Sequence, residues 1–236
     1  MTSTKVSPGL FQNVLMNYLI SQARTVESSL NRAIAALLGR NERLASEVFF
    51  TEPRINEMEI VIDEHATRML GQGNLQDVDL RLIVATIKIN NDLERMGDLA
   101  VNLSENAISL AGMQQVQVPP ELEPMTVAVR AMVSKCLGSL IYQNADLAVQ
   151  VLESDDTVDQ YRDRLFETLL IGIGENSAHA APNLQFVLAS RHLERVADHA
   201  TNIAEDILFW VRGLEVRHGR ARQLEAQPAN AASTGA

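Results

Sequence analysis

The sequence LERMGDLAVNLSE at positions 93–105 returns as LERVADHATNIAE at positions 193–205. Seven of the 13 aligned positions are identical at an offset of 100 residues. In both copies the apolar residues recur at steps of three and four, which places them on one face of a helix. A duplicated amphipathic helix of this kind predicts a protein built from two copies of one helical unit.

The sequence on either side of these copies repeats the same plan. No segment alternates strictly between apolar and polar residues, so no strand is expected. Glycine, proline and polar residues separate predicted helices at 10–38, 42–70, 77–111, 125–144, 146–173 and 183–216, with Pro53 and Ser154 as breaks. The predicted fold is all-α: two tandem antiparallel three-helix bundles related by internal duplication. The predicted divisions are a first repeat at 10–117, a second repeat at 118–218 and a disordered tail at 219–236.

Composition narrows the classes of function. The formal net charge of −10, without a basic stripe, argues against nucleic-acid binding. The single cysteine, Cys136, cannot form an intrachain disulfide and suits a small core position. The N-terminal residues do not resemble a signal peptide, and no apolar run approaches the length of a membrane span. These features predict a cytoplasmic location.

Polar side chains form a column beside the apolar face of each duplicated helix. Residues four apart lie on the same side of a helix, and like charges at that spacing repel unless a cation neutralises them. Carboxylate and amide oxygens are ligands for hard cations such as Mg²⁺, Ca²⁺, Mn²⁺ and iron. A solvated face, with Arg95 and Arg195 pairing to the carboxylates, is the alternative interpretation. Duplication of the whole column favours metal binding at Glu94, Asp98, Asn102, Glu194, Asp198 and Asn202.

The second helix of each unit carries further carboxylates at the same spacing. Glu59 and Asp63 lie on the second helix, and Asp159 and Asp163 lie on the fifth. Neighbouring helices of a bundle could bring these pairs to the repeated columns. Their correspondence is less regular, because aligning 55–56 with 158–159 needs an offset of 103 residues and does not superpose Asp63 on Asp163.

Other kinds of site fail on spacing. A ferritin-like di-iron site needs two Glu-x-x-His motifs on facing helices, and only 215–218 has one. The Gly-Gln-Gly turn at 71–73 is not followed by the residues of a phosphate loop. His199 follows Asp198 directly, points to another face and is expected to be structural. We therefore expect a protein without enzymatic activity.

The duplicated Leu-Glu-Arg-x-x-Asp-x-Ala-x-Asn sequence resembles the signature of the PhoU family, the accessory proteins of bacterial phosphate-specific transport. The flanking sequences INEME at 55–59, DLRL at 79–82 and GLEVRH at 213–218 are also similar to that family. The resemblance covers 10–218 and implies two three-helix bundles, commonly as a homodimer. It implies that the repeated carboxylates bind metal ions in several members, among which iron, zinc, manganese, magnesium and calcium are candidates here.

The resemblance also implies a regulatory role in phosphate homeostasis. Such a protein would damp phosphate-starvation signalling and modulate the phosphate ABC transporter. Its expected partners are that transporter and a sensor histidine kinase, met at the cytoplasmic face of the membrane, and not nucleic acid. Two alternatives remain at this point: a metal-storage or redox protein of helical-bundle type, and a helical scaffold whose carboxylates are only solvated.

Overall fold

The computed structural model describes residues 8–71, 73 and 75–216, and within them all regular structure is helical. The predicted tail at 219–236 and the last residues of the 213–218 motif lie outside this part of the chain. The helices are α1 (Pro8–Gly39), α2 (Glu42–Phe49), α3 (Glu52–Leu70), α4 (Asp77–Ala111), α5 (Leu122–Tyr142), α6 (Ala145–Leu152), α7 (Asp155–Glu175) and α8 (Ala180–Arg212), with a short 3-10 turn at Ser177–His179.

The second helix of each repeat is broken, as the sequence predicted. Pro53 lies in the first turn of α3, where its missing N–H is not needed for helix hydrogen bonding. The corresponding break in the second repeat separates α6 from α7 at Ser154. Each repeat therefore consists of a long helix, a broken helix and a second long helix, which confirms the predicted duplicated all-α fold.

The same turn starts the broken helix in both repeats. Arg40 and Gln143 adopt left-handed backbone conformations with φ of 47° and 50°. The next residue, Asn41 or Asn144, accepts hydrogen bonds on its side chain from N–H groups in the first turn of α2 or α6. Both asparagine N–H groups donate to the end of the preceding helix at 2.9 Å. These equivalent turns are 103 residues apart, whereas the signatures are 100 apart.

Three predicted boundaries were wrong by a few residues. Helix α5 begins at Leu122 because Pro119 and Pro120 lie before the helix and Pro124 lies within its first turn, where proline is tolerated. The loop predicted at 174–182 is mostly helical, since the 3-10 turn and the start of α8 occupy it. Helix α8 ends at Arg212, where Gly213 adopts a left-handed conformation and caps it.

Helices α4 and α8 lie side by side in antiparallel orientation at the centre of the molecule. Lys88 near the start of α4 pairs with Asp206 near the end of α8, and Asn106 bonds Gln185 at their other ends. The predicted apolar faces are fully buried, and the buried apolar residues of both repeats form one continuous core. The fold therefore places the two duplicated helices against each other.

Helix α5 differs from the expectation that no apolar run could span a membrane. Its 21 residues are long and apolar enough by length and composition, with a mean hydropathy of 1.2 over the best window. Half of that window is buried against the rest of the protein. Cys136 lies there in the core, as expected, and burial raises the pKa of its thiol.

Candidate functional site

Helix α3 packs antiparallel to α4 in a register set by one close contact. Gly97 of α4 lies against Ile55, so close that an added Cβ would be 3.1 Å from the Ile55 Cδ1. One turn further along α3, the Glu59 carbonyl accepts a hydrogen bond from the side-chain amide of Asn90 on α4 at 3.0 Å. The same amide donates to Asp63 Oδ1 at 2.8 Å. This register brings the carboxylates of α3 next to those of the first signature.

The first cluster consists of the predicted residues Glu59, Asp63, Glu94 and Asp98. Desolvation by burial raises the pKa of Glu59, and the negative charges of Asp63 and Asp98 add to this. Burial also raises the pKa of Glu94, followed by the charges of Asp98 and Glu59. The carboxylates of both helices therefore interact, as the sequence predicted. Glu59 and Glu94 therefore hold their protons more tightly than isolated carboxylates do, and a bound cation would relieve the part of this that comes from neighbouring negative charge.

Asn90 supports this first cluster from inside the core. The residue is fully buried, and its Oδ1 lacks a hydrogen-bond partner among the described residues. A buried amide oxygen normally has a partner, because leaving it unpaired costs about 1–3 kcal/mol. An orphaned oxygen next to half-buried carboxylates is the donor chemistry that suits an oxygen-preferring cation.

The second repeat uses a register that is shifted by three residues. The offset of 103 that relates the broken helices aligns Val158 with Ile55, and the offset of 100 aligns Ala197 with Gly97. Val158 and Ala197 are both buried. Residues Asp155 and Asp159 thereby face the second signature. The same shift puts Arg162 at the position that Glu59 occupies in the first repeat.

The second cluster consists of Asp155, Asp159, Glu194 and Asp198. Burial raises the pKa of Asp155 to about 6, with the charges of Asp198, Asp159, Asp156 and Glu194 contributing. The pKa of Asp198 is also raised, first by burial and then by Glu194 and Asp159. Asp155 was missed by the sequence analysis, although the 103-residue offset of the asparagine-capped turns signals it.

Arg162 lies in the second cluster and bonds three of its neighbours. Its guanidinium contacts the Glu194 carboxylate, lies 3.2 Å from Asp159 Oδ1 and donates to Asp163 Oδ1 at 2.8 Å. The hydrogen bond to Asp163 is the main cause of the raised pKa of Arg162. Asp163 itself is exposed and bonds Arg162, and its charge is not among those that shift the pKa of Asp198, so it lies at the edge of the cluster.

The predicted asparagines take different positions. Asn102 is half-buried on α4, whereas Asn202 turns toward α4 and lies 3.4 Å from Asp92 Oδ1. Asp92 also bonds His199 Nδ1 at 2.7 Å, so His199 has the structural role that was expected. This contact between the repeats was not predicted, because it depends on the packing of α4 against α8.

An open groove of about 690 Å³ runs between the repeats beside the first cluster. It is strongly acidic, and among the described residues its one basic lining side chain is Lys88, which pairs with the buried Asp206 at 3.2 Å. Its acidic and amide lining residues are Glu59, Asp63, Asn91, Asp92, Asn202, Glu205 and Asp206. The groove gives solvent and ions access to the first cluster.

The carboxylates are spread apart in this conformation. Within 8–71, 73 and 75–216, no three aspartate, glutamate, histidine or cysteine side chains are arranged to hold a metal ion. Mutual repulsion explains this spacing, because a cation would be needed to draw the oxygens together.

Comparison with known proteins gives the same repeat structure. The family profile described as PhoU domain matches residues 19–107 and again 122–207. The chain belongs to the PhoU family. Each match covers most of one structural repeat and contains one copy of the signature.

Relatives that match most of the chain carry one kind of description. A phosphate-specific transport system accessory protein PhoU homolog from Pseudomonas putida is 33% identical over 214 residues, which is 89% of this chain and 83% of that protein. A protein of the same description from Pseudomonas aeruginosa is 35% identical over 86% of this chain and 84% of its own length. The crystal structure of PhoU from Pseudomonas aeruginosa covers 88% of this chain and 100% of its own, with 32% identity and a TM-score of 0.83.

Proposed function

We propose that this PhoU-family chain regulates phosphate homeostasis by modulating a phosphate-specific ABC transporter and damping phosphate-starvation signalling through a sensor histidine kinase. The observation that carries the proposal is the match of the PhoU domain to both repeats, in a chain whose relatives are described as accessory proteins of phosphate-specific transport. The family fold alone would not assign a function, but the relatives share their description along with most of their length.

The properties of the surface suit a regulator that docks on other proteins. A net charge of −10 favours encounters with basic surfaces, and steering of this kind weakens as salt increases. The candidate site contains carboxylates, amides and one guanidinium, without an activated nucleophile. We therefore propose a regulatory protein rather than a catalyst, acting in the cytoplasm at the inner face of the membrane and, like members of its family, as a homodimer.

Metal binding is a further part of the proposal. Glu59, Glu94 and Asp98 would hold a hard cation such as Mg²⁺, Mn²⁺, Ca²⁺ or iron, or the more adaptable Zn²⁺. The raised pKa values of Glu59 and Glu94 and the orphaned Asn90 oxygen fit this role. The bound ion would supply positive charge that relieves repulsion between α3 and α4, and the side chains would turn inward to reach it. Metal storage and redox chemistry are not favoured, because neither cluster contains histidine.

A membrane pull-down tests the proposed partners. The tagged full-length chain would be incubated with membranes of its own organism at high and low phosphate, and the retained proteins identified by mass spectrometry. We expect subunits of the phosphate transporter and the sensor kinase to be enriched, with a phosphate-dependent difference and weaker capture at high salt. Retention of neither component at either phosphate concentration would contradict the proposal.

A further inference from the structure

The two repeats differ in charge at one equivalent position. The asparagine-capped turns at Asn41 and Asn144 and the N-caps at Thr51 and Ser154 both relate the broken helices by 103 residues. In that register Glu59 of the first repeat corresponds to Arg162 of the second. Glu59 lies beside Glu94, and Arg162 lies beside Glu194, the equivalent glutamate of the second signature.

Arg162 is held inside the second cluster by contacts on several sides. Only 27% of its side chain is exposed, and its Nη1 reaches both Glu194 and Asp159. Its Nη2 and Nε both donate to Asp163, which fixes the plane of the guanidinium. A rigid, permanently charged guanidinium is well suited to this role, because it satisfies several carboxylates at once.

The first repeat has no equivalent cation among its described residues. Arg95 follows Glu94 in sequence and contacts it at 3.7 Å from the exposed side of the helix, and Lys88, which lines the same groove as Glu59, pairs with Asp206. More than half of the Arg95 side chain is exposed, so solvent screens its charge. Among the described residues, the carboxylates of the first cluster therefore lack a half-buried guanidinium like that of Arg162.

We propose that Arg162 is a built-in counter-ion that takes the place of a metal ion in the second repeat, so that the chain binds cations through its first repeat alone. A metal ion in the second cluster would have to approach a fixed guanidinium and compete with it for Glu194 and Asp159. Only Asp155 and Asp198 would remain as uncommitted oxygen donors there, fewer than a hard cation requires. This inference rests on the metal-binding part of the proposed function and not on the proposed role in phosphate signalling.

Binding of Mn²⁺ to the purified, chelator-treated chain tests the proposal. Free and bound Mn²⁺ would be measured by equilibrium dialysis and electron paramagnetic resonance for wild type and variants. We expect Glu59→Gln to weaken wild-type binding by about tenfold or more, as loss of one ligand does. We expect Arg162→Gln and Arg162→Glu to roughly double the number of ions bound, because the second cluster then resembles the first.

Matched controls separate this result from general changes in charge. Arg164 lies on the same helix and is exposed, so Arg164→Gln should leave the number of bound ions unchanged. Arg162→Gln keeps the proposal testable if Arg162→Glu adds too much repulsion for folding, and circular dichroism verifies the fold of each variant.

Three results would overturn the proposal. One is unchanged Mn²⁺ binding in folded Arg162→Gln, and another is wild-type binding that survives Glu59→Gln but is lost in Asp198→Asn. The third is absence of Mn²⁺ binding in wild type and in every Arg162 variant. None of these outcomes affects the membrane pull-down, so failure of this inference and failure of the proposed function are distinguishable.

Discussion

The contact between Gly97 and Ile55 sets the register of the first cluster, and a substitution there tests it. Gly97→Ala adds one methyl group in the middle of the 35-residue helix α4. That carbon would lie 3.1 Å from Ile55 Cδ1 and 3.2 Å from Ile55 Cγ2, closer than carbon atoms normally pack. In the second repeat the equivalent positions hold the buried Ala197 and the smaller Val158. The first repeat thus combines glycine with isoleucine at these positions, and the second combines alanine with valine.

The size of the effect follows from opposing contributions. Alanine gains about 1 kcal/mol over glycine inside a helix, and an overpacked core loses about 1–3 kcal/mol. We expect Gly97→Ala to reduce the free energy of unfolding by about 1 kcal/mol. Ile55→Val alone should cost about 1 kcal/mol through the lost methylene. The double variant removes the contact with Cδ1 but keeps the contact with Cγ2. It should therefore lie about 1 kcal/mol below wild type, which gives a coupling energy of about 1 kcal/mol.

Urea unfolding followed by far-ultraviolet circular dichroism measures the stability of wild type, the two single variants and the double variant. Ala197→Gly is the control, because it removes a buried methyl group at the equivalent position and should cost about 1 kcal/mol. The reasoning fails if Gly97→Ala alone stabilises the protein by about 1 kcal/mol and the two substitutions are additive within about 0.5 kcal/mol.

Three further predictions concern buried titratable and charged groups. Ionised Asp155 opposes folding because its pKa of about 6 exceeds the usual 3.8, and this penalty develops as pH rises between those values. Asp155→Asn should therefore be more stable than wild type by about 1 kcal/mol near pH 7.5, a value that is reduced because Asp155 is partly exposed. Thermal melts in chelator-containing buffer should show this advantage shrinking as the pH falls toward about 4. Burial lowers the pKa of His192, and its buried Nδ1 has no hydrogen-bond partner among the described residues, so protonation of His192 opposes folding. The His192→Gln variant should therefore have a higher melting temperature than wild type below about pH 6 and the same melting temperature near pH 8. Lys88→Met leaves the 2%-exposed Asp206 without one of its partners and should cost about 2 kcal/mol in urea unfolding, whereas adding Asp206→Asn should restore part of that loss.

Much of the fold could be predicted from the sequence because it depends on local patterns. The signature helices, their apolar faces and the break at Pro53 follow from periodicity and from the geometry of proline. The first cluster could also be predicted, since Glu59 and Glu94 lie on neighbouring helices of a three-helix unit. These features need no knowledge of how distant parts of the chain meet.

The second cluster could be predicted only in part, because its helices do not share one offset. Carrying the 100-residue offset of the signatures back to α7 suggests Asp163, whereas the structure uses Asp155 and places Arg162 next to Glu194. The loop between α7 and α8 absorbs the three-residue difference. The contact of Asp92 with His199 was likewise inaccessible, since it requires the antiparallel packing of α4 on α8.

Phosphate-responsive gene expression in a deletion strain tests the central proposal most directly. A reporter driven by a phosphate-starvation promoter would be measured at high phosphate, with and without the gene for this chain supplied in trans. We expect the reporter to be active at high phosphate in the deletion strain and repressed again on complementation, with phosphate uptake altered in parallel. Normal repression and normal uptake in the deletion strain would contradict the account.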